Sequence, residues 1–303
     1  MRRESRKARA ARLSIESQEG ARLLGLALDE ARARDPGRGP GGASRVACLR
    51  HGGTLYWAGL PRPPDDRLAS RIASPITELI HGVWATEPEL ARRILRGRIF
   101  ASHAPSQVDQ AMVRVAARKL SAPVEPSSGG VDGGALELRR VGARDFAAAD
   151  EGLQTLQKTG LPQRLERSDL QKVSETVLAL AFSRAQTEGP RWSRDRPIAA
   201  LLIAPDGRIL DRAWNRSGHD ATLHAELQLV RRWAARSEQD EIPEGSLVAT
   251  SLKPCRMCAA LLAAAGAGTG RLQVIYSEDD PGPNARDTVL DGLPWQRLVP
   301  ART

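Results

Sequence analysis

The sequence predicts an α/β protein, in which a layered α/β domain fills the second half and follows a smaller α+β domain. From about Ser168 onwards, apolar runs alternate with helical segments, as in a central sheet covered by helices. The length of 303 residues is typical of two domains, and an apolar content of 41% suffices for their cores. We therefore expect a basic helix and linker over residues 1–44, an α+β domain over residues 45–165 and the α/β domain over residues 166–303.

The first half begins with a basic helix over residues 1–34, whose thin apolar stripe is interrupted by two glycines. The turn His51-Gly52-Gly53 between two short apolar runs predicts a hairpin. Helical periodicity extends over residues 65–120, and the Gly- and Ser-rich residues 123–134 predict a flexible break. No internal repeat is visible. The other predicted elements are strands over residues 45–50, 54–59 and 136–141 and a helix over residues 146–158.

The second half contains the clearest strand of the sequence. Ile198–Ala204 is a continuous apolar run, which predicts a strand buried on both faces. The turn Pro205-Asp206-Gly207 then leads into a second strand. The predicted helices cover residues 169–186, 224–236 and 256–265, and the predicted strands cover residues 198–204, 208–215, 246–251, 272–277 and 296–300.

Positive charge is concentrated in the first half of the chain. The net charge is +9, and residues 1–150 hold 25 Lys and Arg against 17 Asp and Glu. This imbalance favours an acidic partner, RNA or single-stranded DNA, bound mainly by the first half. Because most of the cations are arginines, a solvated surface with a biased composition is the alternative.

Several classes of protein are excluded by composition. No run of 18 apolar residues exists, so we expect no membrane-spanning helix. The Arg-rich start leads into polar residues and not into the apolar core of a secretory signal, which predicts a cytoplasmic protein. Three cysteines cannot form a disulfide framework, but two of them form a Cys-x-x-Cys pair, which indicates metal or redox chemistry.

Two motifs carry the chemistry, and each lies at the start of a predicted helix: His224-Ala225-Glu226 and Pro254-Cys255-Arg256-Met257-Cys258. Residues 255 and 258 share a helix face, and a helix N-terminus stabilises thiolates. Two thiolates and one imidazole leave the fourth position of a tetrahedral zinc ion open, which predicts one catalytic Zn²⁺ per chain. Glu226 is close enough in sequence to shuttle the proton of an activated water. Together these residues form the signature of zinc deaminases.

Beyond these motifs, residues 169–300 resemble the zinc-dependent cytidine/deoxycytidylate deaminase superfamily. The segments Ala213-Trp214-Asn215 and Gly218–Thr222, and the stretch Lys253–Ala259, are similar to the tRNA adenosine deaminase branch. The pattern of an extra N-terminal domain followed by this catalytic domain also resembles that of bacterial predicted nucleic-acid deaminases. The resemblance implies a three-layer α/β/α fold with a five-stranded mixed sheet.

The resemblance also implies roles for individual residues. The metal ligands would be His224, Cys255 and Cys258, and Glu226 would be the proton shuttle. Asn215 would contact the substrate nucleoside, and the Ala225 backbone amide would contact the base.

Two further residues are candidates for substrate binding, each with a plain alternative. His219 is predicted to line the pocket entrance, or else to cap a loop with Asp220. Lys253 is predicted to contact a phosphate, or else to be a solvated lysine.

The function predicted from these observations is zinc-dependent hydrolytic deamination of adenine or cytosine in RNA or single-stranded DNA. A base in a duplex must first be flipped out, so an unpaired target is favoured. One alternative is a deaminase of a free nucleoside, nucleotide or base, of the cytosine or guanine type. Another is a catalytically silent RNA-binding protein, although a silent scaffold needs neither Glu226 nor an open metal position. A homodimer is compatible with each of these three functions.

Overall fold

The computed structural model describes residues 6–34, 45–60, 70–127, 136–142, 146, 162–187, 196–218, 220–266, 272–291 and 296–301. The chain splits into two compact units, Met1–Arg144 and Asp145–Thr303. The predicted division into residues 1–44, 45–165 and 166–303 stays a prediction. No helix among the described residues is long and apolar enough to cross a membrane.

The first unit is a five-stranded mixed sheet with helices. Its helices are α1 (Arg6–Arg34), α2 (Pro75–Thr86), α3 (Ala91–Ile94) and α4 (Gln107–Ala116). Its strands are β1 (Arg45–His51), β2 (Thr54–Leu60), β3 (Arg98–Ala101), β4 (Lys119–Leu120) and β5 (Glu137–Arg140), in the order β4-β3-β1-β2-β5. β1 pairs antiparallel with β2 and β3, whereas β4 and β5 add in parallel at the edges. The predicted hairpin is confirmed, with Gly52 at φ 59° in its turn.

The basic helix α1 packs on the sheet of the first unit. Leu23 and Leu24 are fully buried in a core cluster that includes Trp57 and Phe100. A Cβ atom on Gly20 would lie 2.5 Å from the Phe100 ring. The glycine that weakens the helix in the sequence therefore allows close packing in the fold.

The expectation of a continuous helical region over residues 65–120 is wrong for Arg98–Ala101, which form strand β3. Ile99 and Phe100 are buried there, and β3 pairs antiparallel with β1. Short apolar runs fit a strand as well as a buried helix, and pairing with a neighbouring strand decides between them. The predicted helix over residues 146–158 lies outside the described residues except for Phe146.

The second unit has the predicted fold class, a five-stranded mixed sheet covered by helices. Its helices are α5 (Leu170–Thr187), α6 (Ala225–Ser237) and α7 (Arg256–Gly266), with a 3₁₀ turn at Pro283–Ala285. Its strands are β6 (Ala199–Ile203), β7 (Ile209–Trp214), β8 (Leu247–Leu252), β9 (Gln273–Glu278) and β10 (Gln296–Leu298), in the order β10-β9-β8-β6-β7. β6 pairs antiparallel with β7 and β8, and the pairs β8–β9 and β9–β10 are parallel.

Helices cover both faces of this sheet. Every residue of β6 is buried, as its continuous apolar run predicts. Leu201 packs with α5 on one face, where the Trp214 indole donates to the Leu180 carbonyl at 2.9 Å. On the other face, Asp211 of β7 accepts hydrogen bonds from Arg232 of α6 at 3.0 and 3.1 Å, and both side chains are buried. This buried ion pair ties α6, the helix that follows the first motif, to the sheet.

Candidate active site

Two helix starts on one face of the second sheet bring the motifs together. His224 is the residue before α6, in an extended conformation, and Glu226 lies in the first turn of that helix. Cys255 directly precedes α7 and Cys258 lies in its first turn. The loop before α6 is held by Asp220, whose Oδ1 accepts from the Thr222 amide at 2.8 Å and its hydroxyl at 2.6 Å.

The three predicted ligands converge on one point. The Nδ1 atom of His224 lies 3.4 Å from Cys255 Sγ and 3.6 Å from Cys258 Sγ, and the ligand atoms of the three residues all lie within 4.8 Å of one another. A tetrahedral zinc ion with ordinary Zn–S and Zn–N bonds separates sulfur from nitrogen by about 3.5 Å. The donor set and its spacing therefore fit Zn²⁺, with one coordination position left for a non-protein ligand.

The three candidate ligands shift one another's pKa values. Hydrogen bonding from the Cys258 thiol and the positive charge of His224 hold the pKa of the Cys255 thiol well below its usual value. Burial raises the pKa of the Cys258 thiol. Burial lowers the pKa of His224, but the opposite effects of its neighbours, led by the negative charge of the Cys255 thiolate, together outweigh burial. The pKa of His224 is therefore raised to about 9. Cys255 is thus held as a thiolate, the form that binds metals.

Glu226 is placed beside the ligands as a buried carboxyl group. Its side chain is 3% exposed and lines the same pocket as His224 and Cys255. Burial, and next the Cys255 thiolate, raise the pKa of the Glu226 carboxyl group. The Thr250 hydroxyl donates to its Oε1 at 3.4 Å. A carboxyl group with a raised pKa next to the ligand cluster can both accept and return a proton.

The pocket over this cluster encloses about 260 Å³. Of the predicted substrate contacts, Asn215 and Lys253 line it. Asn215 is buried, and its Nδ2 donates to the Arg196 carbonyl at 3.4 Å. Ala225 is buried as the first residue of α6, where its amide precedes the hydrogen-bonded turns of the helix. His219 lies outside the described residues.

Lys253 is bound to a carboxylate. Its Nζ lies 2.7 Å from Asp291 Oδ1, and its side chain is 17% exposed. This hydrogen bond raises the pKa of Lys253. The plain alternative of a solvated lysine is therefore wrong, whereas a phosphate contact at the pocket wall stays a prediction.

The polar residues of the pocket wall that sequence reasoning did not assign to the site include Arg196, Asp280 and Asn284. Arg196 precedes β6, and its guanidinium lies 3.3 Å from both carboxylate oxygens of Asp280. Asp280 follows β9, and Asn284 lies in the 3₁₀ turn after it. Their signal in the sequence is weak, because Asp280 and Asn284 are marked only by their position after a strand and Arg196 only by its position before one.

Comparisons with known proteins match part of the chain to deaminases. Residues 189–300 match the Bd3614-like deaminase family. The chain is 37% identical over 87 residues to a tRNA-specific adenosine deaminase of Agrobacterium fabrum, covering 28% of this chain and 55% of the relative. It is 33% identical over 129 residues to a tRNA(Ile)-lysidine synthase of Deinococcus radiodurans, covering 41% of this chain and 20% of the relative. The chain thus spans only part of the length of both curated relatives.

Solved structures include a similar chain from a study of A-to-I editing by tRNA:A34 deaminases at the wobble position of transfer RNA. It is 29% identical and covers 42% of this chain and 86% of its own length, with a TM-score of 0.31. The resemblance to the cytidine/deoxycytidylate deaminase superfamily is confirmed by the family match, which contains both sequence motifs.

Proposed function

We propose, from the premise that residues 189–300 form a Bd3614-like deaminase domain, that this chain hydrolytically deaminates adenine or cytosine in RNA or single-stranded DNA with the help of one zinc ion. The observation that carries the proposal is the convergence of His224, Cys255 and Cys258 next to the buried carboxyl group of Glu226. A structural zinc site uses four protein ligands, whereas three ligands and a neighbouring acid/base are typical of hydrolysis.

The chemistry divides between the metal and the chain. Zn²⁺ supplies the positive charge that lets water react at neutral pH. Glu226 takes one proton from the attacking water and delivers it to the ring nitrogen, and it then moves the second proton of that water to the amine, which leaves as ammonia. The raised pKa of its carboxyl group allows it to carry each proton in turn.

The chain also has to hold the base in place. Asn215 presents a buried amide to the pocket and can bind the sugar of the nucleotide. The Ala225 amide lies at the start of α6, where helix amides are free to donate to a ligand. With Leu252 and Ile198 in the wall, the pocket limits the access of bulk water to the reacting carbon.

A polynucleotide substrate is supported by charge and by the relatives. The excess of cations lies in residues 1–150, where it can neutralise phosphates. The curated relatives that match the chain are named for action on tRNA. A cytoplasmic location and a homodimer stay predictions.

The proposal is tested by sequencing. The wild-type chain and Glu226→Gln are expressed in a bacterium, and total RNA and DNA are sequenced. Changes of A to G or of C to T that occur only with the wild type support the proposal and identify both base and polymer. If the two spectra are identical and the purified wild type deaminates free cytosine, guanine or a nucleoside, the polynucleotide substrate is wrong.

The charge distribution predicts where a strand is bound. We expect weaker binding of a labelled single strand, and a shallower dependence on salt, when exposed cations of the first unit are replaced by Gln. Each lost phosphate contact removes about 0.7 from the slope of log K against log salt, so four contacts remove up to about 3. Fluorescence anisotropy at several salt concentrations measures both quantities. The four exposed residues to be replaced are Arg93, Arg96, Arg118 and Lys119.

The matched control removes the same charge from the second unit. Its four exposed residues are Arg164, Lys172, Arg208 and Arg297. The control is expected to bind more tightly than the first-unit variant and to keep a steeper salt slope. Equal affinities and slopes for the two variants would show that the positive charge of the first half reflects a biased composition and does not bind the strand.

A further inference from the structure

The two units, compared each by itself, share one topology. Each has a helix, an antiparallel hairpin, a helix, a strand antiparallel to the first strand of the hairpin, a helix, and a strand parallel to the preceding one. In the part of the first unit that the structure describes, the one added element of this series is the short helix α3. The strand orders β4-β3-β1-β2 and β9-β8-β6-β7 are the same. The fifth strands differ, because β5 joins β2 and β10 joins β9.

The strand registers also correspond residue by residue. The Val46 amide donates to Ser102 Oγ at 3.0 Å, and the Ala199 amide donates to Ser251 Oγ at 3.1 Å. Strand pairing with the next parallel strand begins at Arg98 in the first unit and at Leu247 in the second. These matches align residues 98–109 with residues 247–258 without a gap.

This alignment places three polar residues at the positions of the metal ligands. Pro105-Ser106-Gln107-Val108-Asp109 aligns with Pro254-Cys255-Arg256-Met257-Cys258. Ser74 is the residue before α2, as His224 is the residue before α6. Ser74, Ser106 and Asp109 therefore stand where the second unit has histidine, cysteine and cysteine.

The three residues form a hydrogen-bonded cluster, the Ser-Ser-Asp lock. The Ser74 hydroxyl donates to Asp109 Oδ1, and the Ser106 hydroxyl donates to Oδ2 at 2.9 Å. The Ser106 amide also donates to Oδ2, at 2.8 Å. Asp109 is 1% exposed and lies near the N-termini of both α2 and α4, which stabilise its negative charge.

In the first unit, the hydrogen bonds of the Ser-Ser-Asp lock stand in the place where the second unit has its candidate metal site. Neutral serine hydroxyls are not the thiolate and imidazole ligands that zinc prefers, and the carboxylate is already occupied by donors. Ile76, fully buried, stands where Glu226 stands in the second unit. This half of the chain has no group in that place to move a proton.

We infer that the first unit is a second copy of the deaminase fold, in which the Ser-Ser-Asp lock has taken the place of the metal and the catalytic carboxyl group has been lost. The first unit folds without metal, and the one candidate catalytic centre among the described residues lies in the second unit. This inference goes beyond the proposed function, because it assigns an architecture and a metal-independent role to the half of the chain outside the family match.

The test is to restore the metal site in the full-length chain. Ser74→His, Ser106→Cys and Asp109→Cys together are expected to create a second site, so that bound Co²⁺ rises from about one to about two ions per chain. Metal content and thiolate-to-cobalt absorption measure the binding. In a chain that also carries Cys255→Ser and Cys258→Ser, the same substitutions should raise Co²⁺ from none to about one. That background separates this inference from the proposed function, because it does not need the site in the second unit.

The matched control moves the two cysteines by one position along α4. Ser74→His with Gln107→Cys and Gln110→Cys keeps the spacing of the ligands but turns them away from residue 74, and no added ion is expected. A folded triple variant that binds no second ion, or a wild type that binds two, overturns the inference.

A wild-type measurement covers the case in which the triple variant does not fold. After a chelator removes the metal, hydrogen exchange should accelerate at the starts of α6 and α7 and stay unchanged at the starts of α2 and α4. Faster exchange at all four helix starts contradicts a metal-independent lock.

Discussion

Glu226→Gln is expected to keep the metal ion and to lose about 10²–10⁴-fold in turnover, because general acid–base catalysis contributes this much. The amide has nearly the shape of the carboxyl group but cannot accept a proton from water. The residue is buried beside the ligand cluster, so a neutral side chain is tolerated there. Turnover is measured by ammonia release, and metal content by elemental analysis.

The control for this prediction is the same change on the same helix, away from the pocket. Glu238 is exposed at the C-terminal end of α6, so Glu238→Gln should leave turnover and metal content unaltered. A Glu226→Gln protein with a near-normal rate would remove Glu226 from the reaction. A protein that loses its metal would show that the carboxyl group maintains the site instead.

Cys258→Ala is expected to abolish stoichiometric zinc binding and to lower the melting temperature of the second unit. Ligand binding to the native state stabilises it by about 2.7 kcal/mol when free metal exceeds the dissociation constant a hundredfold, which shifts the melting temperature of a unit this size by roughly 5–10 °C. The same drop should follow when a chelator is added to the wild type, and a chelator should have little effect on the variant. Calorimetry with and without zinc measures these shifts.

The third cysteine of the chain is the matched control. Cys48 lies fully buried in β1 of the first unit, and burial raises the pKa of its thiol strongly, so it is neither a ligand nor reactive. Cys48→Ala should keep one zinc per chain and the chelator-sensitive transition. If Cys258→Ala still binds zinc as tightly as the wild type does, the three-residue ligand set is wrong.

Local patterns in the sequence predicted much of the candidate site. The residues of each motif, around His224 and around Cys255, lie within one helical turn of each other. Residue types and spacing therefore determine the geometry of each motif. The buried run of β6 and the hairpin turn at Gly52 are local in the same sense. The fold class of the second unit follows from the order of such elements.

The tertiary structure alone decided the features that depend on distant segments. Arg196 and Asp280 are 84 positions apart and meet only because β6 and β9 belong to one sheet. The residues of β3 form a strand because they pair with β1, although their sequence pattern also fits a helix.

The internal repeat is the clearest case of what the sequence could not reveal. Between residues 98–109 and 247–258 only Ser102 and Pro105 keep their identity, at Ser251 and Pro254, which is too little to be seen as a repeat. The sequence by itself predicted one metal centre and the chemistry of its residues, because ligand types and helical spacing are local properties. Only the tertiary structure showed that Ser74 and Asp109 occupy the same places as His224 and Cys258, because a fold is conserved by strand order and register while the side chains at its centre are free to change.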